Sequence, residues 1–234
     1  MYSFNSHVRY SEIGEDGRLT ISAAINYMQD CTTFHSEFLG LGVEVLKTIN
    51  RAWVLTSWQI IIHDMPKFND EIVVKTWPTD FKAFTGLRNF EISSPEGKPY
   101  VQANSLWAYV DTETGRPVKP ADEEISSYKL EPPLDLGKFE RKIKLPESME
   151  ELESIPVRKY QIDTNGHVNN CEYARMAEEY IPDGRIVKEI NMEYRNSSYY
   201  GMKLIPKVSI DNNTVYVTLT DEEGKLCSAL KFIS

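Results

Sequence analysis

Cysteine is scarce in this sequence. Only 3 occur among 234 residues, Cys31, Cys171 and Cys227. They are odd in number and far apart, which speaks against a disulfide framework and fits no zinc-ligand spacing; a reducing, cytoplasmic setting is the expectation. Long apolar runs are missing too. Runs such as Ile60-Ile61-Ile62 stop after a few residues, against the roughly 20 that a bilayer-spanning helix needs, so no membrane span is expected. The stretch Met1 to Gly14 shows neither a basic start followed by an apolar run nor an Arg/Ser-rich amphipathic pattern, so it does not read as a targeting peptide. Positive charge is in deficit, with 26 Lys+Arg against 35 Asp+Glu and a formal net charge of -9. That balance disfavours nucleic acid or an anionic membrane surface as the main partner. Leu39-Gly40-Leu41-Gly42 matches neither nucleotide-binding fingerprint, and no His/Cys/Asp/Glu run has metal-ligand spacing, so neither cofactor nor metal is expected.

Core-forming material is ample. Hydrophobic residues make up 41% and aromatics 11% of the chain, and a protein of this size buries roughly 70% of its unfolded surface. The sequence also repeats. A shift of 149 positions sets Val8-Arg9 on Val157-Arg158, Ile13 on Ile162, Gly17 on Gly166 and Leu19 on Val168. Structural signals recur at the same shift. Ile21, Ala24, Ile25 and Met28 form a helical stripe behind Thr20 and Ser22, and Tyr173, Met176, Ala177 and Tyr180 form another behind Asn169 and Asn170. Strand-like runs follow each helix: 52–62, 71–77, 84–92 and 100–110 in the first half, then 185–194, 203–210, 214–220 and 226–233 in the second. Between them lies a charged stretch with Pro117, Pro120, Pro132, Pro133 and Pro146, and a short helix near Asp122 to Tyr128. The expectation is an α+β chain of two similar units, 1–125 and 155–234, joined by a linker over 126–154.

Polar chemistry concentrates just before the second helix, in Asp163-Thr164-Asn165-Gly166-His167-Val168-Asn169-Asn170. If the chain is extended there, Asp163, Asn165 and His167 project to one side and offer a base, an orienting amide and an acid. The competing reading is a turn at Asn165-Gly166 with Asn169 or Asn170 capping the helix. The first half keeps the turn, as Gly14-Glu15-Asp16-Gly17-Arg18, without the histidine. The helix start suggests the Val168 and Asn169 amides as holders of a developing oxyanion. Cys171 reads as a packing residue, His7, His35 and His63 as structural or surface residues, and the four tryptophans as core, with one or two lining a tunnel; Met28, Trp53 and Trp58 are the tunnel candidates. Arg141, Lys142 and Lys144, and Arg185 with Lys188, read as solvated surface.

The Asp163 to Asn170 segment resembles the D-x-N-x-H-V-N-N signature of the acyl-acyl-carrier-protein thioesterases of plants and bacteria. Tyr10-Ser11-Glu12-Ile13-Gly14, Tyr27-Met28-Gln29-Asp30, Trp53-Val54-Leu55-Thr56, the segment from Pro66 to Trp77, Gly86-Leu87-Arg88-Asn89-Phe90 and Ser105-Leu106-Trp107 extend the likeness over nearly the whole chain. The resemblance implies a tandem (double) hotdog, each half a long helix packed on a curved antiparallel sheet. It implies hydrolysis of acyl-acyl-carrier-protein thioesters to free fatty acid, ending chain elongation in fatty acid biosynthesis. Asp163, Asn165 and His167 would be the catalytic group, and the first hotdog would govern which acyl chain fits. The implied partner is acyl carrier protein, with a homodimer admitted as an assembly. There is one departure: plant-type members carry a Glu-Cys pair where Glu193-Tyr194-Arg195-Asn196 is followed here by Ser197-Ser198. An acyl-coenzyme A thioesterase and a non-catalytic acyl- or carrier-binding module are the alternatives. A dehydratase of the same fold would place its histidine and carboxylate on different subunits or halves.

Overall fold

A computed structural model describes residues 1–234. The chain divides into two compact units, one made of Met1–Thr56 and Ile60–Phe139, the other of Ser57–Gln59 and Glu140–Ser234. The division after Phe139 falls inside the proline-rich stretch.

In the first unit a strand, β1 (Tyr2–His7), leads through a short turn into the helix α1 (Ile21–Phe38). Thr20 starts this helix: its extended backbone and its hydroxyl, which accepts the Ala23 N–H at 3.2 Å, satisfy an otherwise orphaned donor. Ile25, Met28 and Cys31 form a fully buried stripe on the face that packs against β3. Gly40, at φ 71°, ends the helix in a left-handed conformation that costs glycine little. A short helix, α2 (Val43–Thr48), then precedes the long strands β2 (Arg51–Ile62), β3 (Glu71–Lys82), β4 (Thr85–Ser93) and β5 (Pro99–Asp111). The strand order is β1-β3-β4-β5-β2. Pro78 sits in β3 just beyond the last β1 pair, Tyr2↔Thr76, where no ladder donor is required of it, and a register shift follows between Pro78 and Asp80. One helical turn, α3 (Asp122–Ile125), lies where the sequence predicts it.

The second unit repeats the plan on a smaller scale. Two short strands, β6 (Glu150–Glu151) and β7 (Ile155–Pro156), precede the helix α4 (Asn170–Glu178), and β8 (Glu189–Tyr194), β9 (Lys203–Asp211), β10 (Thr214–Thr220) and β11 (Leu226–Ile233) follow it. The order is β8-β11-β10-β9-β6, with β7 also on β9. Tyr173 and Met176 of α4 close a core with Val157, Val168, Leu204, Leu219 and Cys227. The second helix is not the long one expected: it has 9 residues against 18 in α1. Tyr180 lies outside it, and Pro182 and Gly184, the latter at φ 76°, turn the chain away.

Candidate active site

The stretch from Asp163 to His167 is a closed turn, not an extended strand. Ile162 and Val168 form an antiparallel bridge at its base. Inside it the Asp163 N–H donates to the His167 carbonyl at 2.7 Å, and the Gly166 N–H to the Asp163 carbonyl at 3.1 Å. Gly166, at φ 78°, supplies the left-handed step. The Asp163 carboxylate is spent partly on the turn itself: Oδ1 accepts the backbone N–H of Asn165 at 2.8 Å and of His167 at 3.2 Å. This corrects the picture of three side chains aligned along one face of a strand, because local backbone donors compete successfully for an Asp two residues upstream.

The same backbone pattern occurs 149 residues earlier. The bridge Ile13↔Leu19 matches Ile162↔Val168, and the Gly14 N–H to Arg18 carbonyl and Gly17 N–H to Gly14 carbonyl bonds match those within 163–167. Thr20 and Asn169 each cap the following helix; the Asn169 side chain accepts the Cys171 N–H at 3.1 Å. Only the side chains differ. Where the second turn carries Asp163 and His167, the first has Gly14 and Arg18, and Arg18 is used in contacts to Asp64 and the Met65 carbonyl.

The oxyanion assignment to Val168 and Asn169 does not survive. The Val168 N–H donates to the Ser198 carbonyl at 2.9 Å and the Asn169 N–H to the Gln161 carbonyl at 2.8 Å. Both amides are consumed in holding the turn, as those of Leu19 and Thr20 are by the Pro66 and Glu12 carbonyls. Available instead are the exposed Asn165 side chain and the half-buried His167 ring, neither of which hydrogen-bonds within the protein. The His167 ring meets Tyr199 edge-on, with centroids 5.0 Å apart, a contact that the Tyr199-Tyr200 doublet alone does not announce. Cys171 is buried, in keeping with a packing role.

Of the tunnel candidates, Trp53 borders a cleft in the first unit, whereas Met28 and Trp58 are fully buried and do not. Met28 lies on the inner stripe of α1, and Trp58 lies within β2. The cleft is shallow and partly open; the roughly 370 Å³ of space around it includes solvent at its mouth. His35, from α1, belongs to a buried cluster beside it: its Nδ1 accepts Arg88 Nη1 at 3.0 Å, and burial together with the neighbouring guanidinium pushes its pKa down to about 4.

Two family domains cover the chain. Residues 1–128 match the acyl-ACP thioesterase N-terminal domain and residues 144–227 the acyl-ACP thioesterase C-terminal domain. The chain belongs to the acyl-ACP thioesterase family. The palmitoyl-acyl carrier protein thioesterase, chloroplastic, of Gossypium hirsutum is 26% identical over 213 residues, which are 83% of this chain and 51% of that protein. The chain thus spans about half the length of the curated relatives it matches. An acyl-ACP thioesterase from Bacteroides thetaiotaomicron VPI-5482 superposes with a TM-score of 0.86 at 23% identity, over 99% of this chain and 96% of that one. The 12:0-ACP thioesterase from Umbellularia californica gives 0.85 at 20%, over 99% and 96%. This likeness shows the fold, a tandem hotdog.

Within this acyl-ACP thioesterase fold, Ser197 and Ser198 occupy the place that the plant-type resemblance gives to Glu-Cys. Ser197 is exposed and brings no carboxylate. Ser198 is fully buried: its N–H donates to Tyr173 Oη at 3.2 Å, the Tyr173 hydroxyl donates to its Oγ at 3.0 Å, and its carbonyl takes the Val168 N–H. Burial, foremost, with Asp163 among the contributing charges, pushes the Tyr173 phenol up to about 12, so it stays a neutral donor. Ser198 is therefore a strut between the turn and the core. Nearby Glu193 offers no substitute acid, since Ile143 N–H and Arg195 Nε already occupy its two oxygens.

Proposed function

We propose that the chain hydrolyses acyl-acyl-carrier-protein thioesters to free fatty acid and carrier protein, terminating chain elongation, with Asp163, Asn165 and His167 as the reacting group. One observation carries this reading: a carboxylate braces a turn that offers an amide and an imidazole, neither hydrogen-bonded within the protein, at the start of a helix. In this reading the His167 ring takes a proton from an attacking water and returns it to the departing thiol of phosphopantetheine. With the nearby main-chain amides occupied, the developing oxyanion takes its donor from the Asn165 amide. The Asp163 carboxylate keeps the turn in shape with Oδ1 and supports the imidazolium electrostatically. The names of the relatives, palmitoyl- and oleoyl-acyl carrier protein thioesterases, support carrier protein as the leaving group. A cytoplasmic location, in accord with three cysteines that form no disulfide, is part of the same proposal.

The carrier is tested by giving the wild-type protein one acyl chain on acyl carrier protein and the same chain on coenzyme A. A higher kcat/KM with carrier protein is the expected result. Equal rates, or faster hydrolysis of the coenzyme A ester, would assign the protein to the acyl-coenzyme A thioesterases instead.

A further inference from the structure

Arg88 is the most unusual charge in the molecule. It sits on β4 with 7% of its surface exposed, and no carboxylate lies within 4.0 Å of it. Its Nη1 donates to His35 Nδ1 at 3.0 Å and to Thr76 Oγ1 at 3.1 Å, and its guanidinium carbon lies 5.5 Å from the centre of the Tyr128 ring. All three neighbours are neutral. They fix the plane of the guanidinium without balancing its charge, and buried charges in proteins are ordinarily paired. The remaining donors, Nε and Nη2, belong to a side chain that lines the open cleft. The other walls, formed by Trp53, Phe81, Leu87 and Trp107, are largely apolar. Thr32, from α1, adds a buried hydroxyl with no partner.

We infer that this cleft binds a carboxylate carried on a hydrocarbon body, with Arg88 as its counter-ion. The planar fork of a guanidinium matches the two oxygens of a carboxylate, and the aromatic walls suit an aliphatic tail. A plain methyl-ended chain would leave the charge unbalanced. Two sources supply this chemistry: a free fatty acid, or an acyl chain that is still on its carrier and ends in a carboxylate. Binding of the free acid requires no hydrolytic activity; only the assignment to an ω-carboxyacyl substrate rests on the thioesterase reading.

The test is equilibrium dialysis of labelled octanoate against the intact protein, with methyl octanoate as a competitor of equal length and no charge. Octanoate is expected to bind about tenfold to a hundredfold more tightly than the ester, the worth of a charge-assisted hydrogen bond. Arg88→Met removes that preference while leaving the melting temperature unchanged or raised, because an unpaired buried charge goes with it. Thr32→Leu narrows the cleft with Arg88 in place and weakens both ligands. Hydrolysis of ω-carboxyoctanoyl-carrier protein then separates the sources. A rate above that of the octanoyl substrate assigns the carboxylate to the substrate chain, whereas equal or lower rates with inhibition by octanoate assign it to released acid. Octanoate binding no tighter than the ester, or surviving both substitutions unchanged, overturns the inference.

Discussion

On the proposed mechanism Asp163 has two separable tasks, bracing the turn and supplying charge, and substitutions distinguish them. Oδ1 accepts two backbone N–H groups, so Asp163→Ala orphans both and should cost about 1–3 kcal/mol of stability. Asp163→Asn keeps an acceptor at the same place and should cost much less. The charge is lost in either case, so both variants should lose hydrolytic activity together. Chemical denaturation of the pair, run beside an activity assay, checks this. Equal stability loss in the two variants would mean that the turn depends on the charge and not on the acceptor. The sequence singles out Asp163, but the use of its carboxylate in the turn was not legible there. Its acceptor role depends on turn geometry that an Asp-x-Asn-Gly-His string permits without requiring.

Two turns of equal geometry give an internal control. Gly17 and Gly166 have φ of 72° and 78°, and an added Cβ at either meets nothing within 4 Å. Alanine at either position therefore pays only for its left-handed conformation, about 1–2 kcal/mol. The two variants should lose the same stability by denaturant titration, while only Gly166→Ala impairs turnover. Loss of activity in both would argue that the first turn also takes part. These turns were legible because short-range glycine and cap signals recur at one shift, as were most strand boundaries. The occupied Val168 and Asn169 amides were not, since their acceptors, the Ser198 and Gln161 carbonyls, are brought in by tertiary folding. The pairing of Arg88 with His35, 53 residues apart, was invisible for the same reason. The second helix is shorter than its apolar stripe predicts, since that stripe runs on to Tyr180 while the helix ends at Glu178.

Two groups, the buried His35 and the half-buried Glu178, pull the pH dependence of folding in opposite directions. Desolvation raises the Glu178 carboxyl from 4.5 to about 7, with Glu179 adding and Arg175 opposing. The native state therefore holds this proton longer than the unfolded chain, and the contribution of Glu178 falls as pH rises from 4.5 towards 7. His35 is lowered from 6.5 to about 4, so the unfolded chain binds that proton first, and its contribution falls as pH drops from 6.5 towards 4. Glu178→Gln should thus melt higher than wild type at pH 8 and nearly equal to it at pH 4.5, which thermal denaturation across pH measures. A constant difference between the two proteins at all pH values would show that Glu178 does not titrate in this range.

In the proposed function the 163–167 turn hydrolyses acyl-carrier-protein thioesters. The most direct test of this is the rate of thiol release from medium- and long-chain acyl-carrier protein by the wild type and by His167→Ala, with both first shown to melt at the same temperature. Turnover by the wild type that drops by on the order of a hundredfold or more in the variant is the predicted result. No turnover of any chain by the wild type, or a variant that works at full speed, would contradict it.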